Sequence, residues 1–173
     1  CDWSSDVCSS DLDMPPGFHI YRAATPEQSG GSYELAIDGS GRVLVGDGET
    51  VRRLSDPDGD GVFDSFDALA GGLGWRGPQG LLVYGDRLYA VGGDGVQLYD
   101  GYLSGELSHR GRIGARFNTG GDHDAHSLLR GHDGWIYLVV GDGAGHKARS
   151  HITGEHSPVL RARAGSVLDR KST

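Results

Sequence analysis

The feature that most constrains the fold is a repeat. Three segments superpose from Leu35, Leu81 and Leu128: LAIDGSGRVLVGDG, LLVYGDRLYAVGGDG and LLRGHDGWIYLVVGDG. Each reads as an apolar strand, a polar Gly/Asp turn, a second apolar strand and a Gly-Asp-Gly corner, at Asp47, Asp94 and Asp142. The period of roughly 45 residues is that of a propeller blade and longer than most helical solenoid repeats. A third strand is expected at Thr50 to Leu54, at Val96 to Tyr99 and, in the last unit, at Ser166 to Leu168. The fold class is therefore all-β, with four short antiparallel strands per unit, as in a β-propeller. A β-sandwich would explain the alternation but not the recurring corner.

Composition agrees with many tight turns, since 31 of the 173 residues are Gly, against roughly 7% in average usage. The apolar runs are short and rich in Val, Ile, Tyr and Trp, which favours strands. None approaches the ~18 residues of a membrane span. The net charge of -8, with no Lys/Arg cluster to offset it, repels phosphate backbones and argues against nucleic acid.

The ends differ from the interior. CDWSSDVCSSDL (1–12) and DRKST (169–173) look like translated sequencing-adapter sequence; a natural Ser/Asp-rich disordered tail is the alternative. Either way they are expected to pack against nothing, and Cys1 and Cys8, the only cysteines, then carry no information on disulfides. The partial propeller is expected over 13–168. About three blades fit there, whereas propellers have four to eight, so a fragment is expected.

Two constellations carry chemistry. DPDGDGVFDSFD places Asp56, Asp58, Asp60, Val62, Asp64 and Asp67 at positions 1, 3, 5, 7, 9 and 12 of a loop with Gly61 at position 6. That is the spacing of a calcium loop, in which carboxylates and the position-7 carbonyl converge on one hard cation. No amphipathic helices flank it, and position 12 is the shorter Asp. The competing reading is a solvated acidic hairpin, because Asp and Gly favour turns without metal. The equivalent turn of the second unit, DGYLSG, keeps Asp100 and Gly105 but no carboxylate series.

The second constellation is histidine-rich. Six of the 8 histidines fall between His123 and His156: His123, His126, His132, His146, His151 and His156. An imidazole beside a carboxylate, as at Asp122 and His123, suits proton abstraction near neutral pH. His123 and His126 could instead be hydrogen-bonded corner residues, or ligands of a transition metal. Asp47, Asp94 and Asp142 recur in each unit, which makes a turn role their default, and His146, His151 and His156 fall in a long insertion.

GGDHDAHSLLRGHDGWIYLVVGDGAG resembles the stretch of the soluble quinoprotein glucose and sorbosone dehydrogenase family that runs Asp-His, strand, Gly-Pro-Asp-Gly, strand, Gly-Asp. PPGFHIYRAA is similar to that family's first strand, GPQGLLVYGDRLYAV to a later blade, and DPDGDGVFD to a turn of a membrane-bound dehydrogenase subgroup. The resemblance implies three blades of a six-bladed propeller that binds pyrroloquinoline quinone (PQQ) and calcium, oxidises a sugar or other alcohol, and could pass electrons to a cytochrome c. It implies His123 as general base, Asp122 in contact with cofactor or substrate, and Asp142 lining the pocket. Gln79 falls one residue from a family pocket glutamine, and Lys147 stands where a pocket Gln is usual, as His132 stands for the usual Pro. A periplasmic or extracellular location is implied too. The alternative function is a non-catalytic β-propeller binding carbohydrate or protein through its top face.

Overall fold

The computed structural model describes residues 14–74, 77–114, 116–141 and the strand 159–163. The segments 1–12 and 169–173 lie outside them. Three antiparallel sheets follow one another along the chain. The first holds β1 (Ser32–Ile37), β2 (Val43–Asp47), β3 (Thr50–Ser55) and β4 (Ser65–Ala70), and the second β5 (Leu81–Tyr84), β6 (Arg87–Gly92), β7 (Gly95–Asp100) and β8 (Ser108–Ile113). The third has β9 (Ala125–Arg130), β10 (Trp135–Val140) and β11 (Val159–Arg163). Each sheet is an up-and-down meander of neighbouring strands, which is a blade.

Alternation of side chains explains why the sheets stack. In β6, Leu88 and Ala90 pack with Leu44, Val51 and Leu81 toward the first blade, while Tyr89 and Val91 pack with Leu128, Ile136 and Leu138 of the third. The middle blade is covered on both faces, so its central strand is apolar at successive positions instead of alternating. The outer blades are covered on one face each. Tyr33, Leu35 and Ile37 on β1, and Leu129 and Val139 on the third blade, remain exposed.

Two expectations shift. The third strand of the last blade is Val159–Arg163, paired with β10 through Val139↔Val159 and Leu138↔Leu160, whereas 166–168 lies outside the described residues. In VLRAR the arginines obscure the apolar signal of a strand. PPGFHIYRAA, expected as a first strand, forms none: among the described residues no sheet edge pairs with it, and Phe18, Ile20 and Tyr21 are exposed. An extended segment becomes a strand only when a neighbour satisfies its backbone. It is anchored at its end instead, by Phe63 N–H donating to Ala23 O (2.7 Å), ahead of the short helix α1 (Pro26–Ser29) with its Thr25 capping box.

The strand directions sort the loops. Ser32 pairs with Asp47, Asp47 with Thr50, and Val51 with Ala70, so the Asp47 corner and the chain entering β5 share one end of the sheets. By the same pairing, Asp94 and the chain entering β9 lie at that end. The Asp56–Asp64 loop, between β3 and β4, lies at the other.

Candidate functional site

Asp122 and His123 occupy the apex of a turn between Gly120 and Ala125, where the chain enters β9. Both are exposed, so the imidazole is not sealed in the core. Bonds within the turn help to hold it. Asp124 Oδ2 accepts from Gly121 N (2.7 Å), Asp124 N–H donates to Gly121 O (3.2 Å), and His126 Nε2 lies 3.0 Å from Asp122 O. Because a carbonyl can only accept, His126 carries its proton on Nε2 in this bond. His126 is thus a hydrogen-bonded corner residue. Gly141 N donates to Asp124 O (2.9 Å), tying the far end of β10 to the same turn, and a Cβ at Gly141 would overlap His123 O.

Gln79 is buried, 6% exposed, on the chain entering β5. Its amide reaches the next blade, with Oε1 accepting from Gly120 N (2.9 Å) and Nε2 donating to Gly121 O (3.3 Å). Asp142 and Lys147 lie outside the described residues, as do His146, His151 and His156. The corners equivalent to Asp142 are structural. Asp47 accepts from Gly31 N (3.0 Å) and pairs with Arg52, and Asp94 lies 3.4 Å from Arg112 and 3.2 Å from Arg116.

Glu34, on β1 at the same end, carries no motif that marks it in the sequence. Burial pushes its carboxyl above the usual range, opposed by a hydrogen bond from the Leu81 main chain and by the nearby His126. Glu34, Gln79 and the Asp122–His123 turn thus come from three successive blades. The available signal was a lone carboxylate inside the strand SYELAI.

At the opposite end, carboxylate oxygens of Asp56, Asp58 and Asp64 lie within 4.8 Å of one another. Desolvation and then the charges of Asp58, Asp60 and Asp56 raise the Asp64 carboxyl. Asp56 accepts from Gly59 N (2.8 Å) and Gly61 N (3.0 Å), and Asp60 from Val62 N (2.7 Å). Asp67 is a β4 residue whose carboxylate sits 2.7 Å from Arg53. The second blade turns without such a cluster, using Asp100 between Arg87 (3.0 Å) and Arg110 (2.8 Å).

Among solved structures the chain is similar to the iodide structure of a Trichoderma reesei carbohydrate-active enzyme of family AA12. Identity is 22%, the TM-score is 0.55, and the match covers 76% of this chain and 35% of that one. The chain thus spans about a third of the enzyme it matches. This likeness, with the stacked antiparallel sheets, makes the chain all-β, with about three blades of a β-propeller. No family model and no curated protein matches the sequence. Among the described residues, no helix is long and apolar enough to cross a membrane.

Proposed function

We propose that the chain supplies the proton-accepting part of the active site of a quinoprotein sugar or alcohol dehydrogenase, with His123 as general base and Asp122 beside it. The observation that carries this reading is an exposed Asp-His pair at the apex of a turn whose main chain is fixed at Gly120, Gly121, Asp122 and Asp124. Preorganisation of this kind is what a base needs. The fold likeness to a carbohydrate-active enzyme supports a sugar as the substrate class.

An imidazole nitrogen of His123 takes the proton of the substrate hydroxyl as hydride leaves the adjacent carbon. The Asp122 carboxylate stabilises the imidazolium so formed. PQQ, as the sequence resemblance implies, provides the hydride acceptor when bound. The described residues fit the acid-base role but hold a carboxylate-bearing quinone only in part, since Arg112 and Arg116 at this end already neutralise Asp94. Further cations would have to come from other residues. Asp142, Lys147 and a cytochrome c acceptor remain part of the proposal on the resemblance alone, as does a periplasmic or extracellular setting. Calcium in the Asp56 loop would be structural, because that loop is at the opposite end of the blades.

The test is His123→Ala in a six-bladed protein containing this segment, assayed with PQQ and an aldose panel. Turnover should fall by ~100-fold or more with the circular dichroism spectrum unchanged. Unchanged turnover, or sugar binding without any turnover in the parent, would sink the catalytic reading.

A further inference from the structure

We propose that Gln79 is a positioning residue for the Asp122–His123 turn, acting from the neighbouring blade through a buried amide and not by touching substrate. The inference rests on the reading of His123 as the base. Gln79 is bonded in three directions. Its main-chain N–H donates to Val91 O (2.9 Å) within its own blade, and its carbonyl accepts from Ser127 N (2.8 Å) on β9 of the next. Its side-chain amide then spans to Gly120 N and Gly121 O, on the two residues directly before Asp122. A donor faces one end of the amide and an acceptor the other, which fixes its orientation.

The surrounding backbone is shaped to allow this reach. A Cβ at Gly80 would lie 2.8 Å from Val91 Cγ2 and 2.9 Å from Ser127 N, so the two blades approach here as closely as main chains permit. Ser127, alone among the described non-glycine residues, has a positive φ, of 46°. It sits where the β9–β10 register slips, between the pairs Leu138↔Leu128 and Val139↔His126, and the bulge turns its N–H toward Gln79. The amide therefore links the turn to the β5–β6 ladder of a blade buried on both faces. Both of its polar ends are spent on main chain.

The test uses the labelled chain and two variants. In Gln79→Leu, the Gly120 amide should lose protection against hydrogen exchange by about tenfold, as the loss of a buried hydrogen bond implies, and the His123 ring resonances should shift, with first-blade amides unchanged. In Gln79→Glu, the carboxylate still accepts from Gly120 N but faces Gly121 O with a lone pair. Once protonated, it can donate there as the amide does. At neutral pH this variant should keep Gly120 protected but, with lone pairs facing the Gly121 carbonyl, show displaced His123 resonances, and it should regain the wild-type His123 shifts, compared at equal pH, as its carboxyl is protonated. A purely space-filling role predicts no such recovery. Unaltered Gly120 protection and His123 resonances in Gln79→Leu, or no recovery of Gln79→Glu on acidification, would overturn the proposal. None of these readouts uses turnover, so a wrong assignment of the base would leave them intact and abolish only the His123→Ala effect.

Discussion

Replacing Asp38 by Asn should destabilise the chain by about 2 kcal/mol at neutral pH, and the difference should shrink on acidification. Asp38 closes the β1–β2 turn and is buried, with its side chain only 2% exposed. It accepts from Ser40 N (2.8 Å), Arg42 N (2.9 Å), Arg42 Nε (2.7 Å) and, from the second blade, the Tyr102 hydroxyl (2.7 Å). Burial alone would raise its carboxyl, but these four bonds outweigh it and hold the group at about 2, down from 3.8. Tyr102 moves oppositely, pushed up to about 12 by burial and by its bond to Asp38. At ~1.36 kcal/mol per unit, the Asp38 shift corresponds to about 2 kcal/mol. The unfolded chain binds the proton first as pH falls, so this stabilisation is complete well above pH ~4, about half gone near pH 3, and lost below 2. Thermal unfolding followed by circular dichroism at pH 7 and pH 3 reads it, with an expected loss of ~4–8 °C at pH 7 for a domain of this size. Tyr102→Phe should reproduce part of that loss. A change under 1 °C for Asp38→Asn at pH 7, or a deficit as large at pH 3 as at pH 7, would refute the reasoning.

The Asp56–Asp64 loop should bind calcium with an affinity no weaker than millimolar, the weak end for calcium loops. Calorimetry should lose that signal in Asp58→Asn, while Gln79→Leu leaves it intact because the two regions lie at opposite ends of the blades. Gly141→Ala should cost ~1–3 kcal/mol by overpacking and should move the His123 resonances, since the added Cβ meets the His123 carbonyl; chemical denaturation with the same spectra checks both.

Strand pairs within a blade were legible because each hairpin is local. LAIDGSGRVLV carries its own alternation and turn, and β1 and β2 form as read. The recurring Gly-Asp-Gly corner also announced the repeat, and the acidic spacing from Asp56 drew attention to the loop in which Asp56, Asp58 and Asp64 meet. PPGFHIYRAA misled for a physical reason: its apolar pattern suits a strand, but a strand also needs an edge to pair with.

By itself, then, the amino-acid sequence determined the period, the turn chemistry and the Asp-His dipeptide, all of which depend on residues close along the chain. Only the tertiary structure decided that Gln79 lies against Gly120 and Gly121 and that Tyr102 reaches back to Asp38. These contacts join residues on different blades. They depend on how one sheet stacks on the next, and side-chain alternation within a strand specifies which face is buried without specifying which polar groups meet across it.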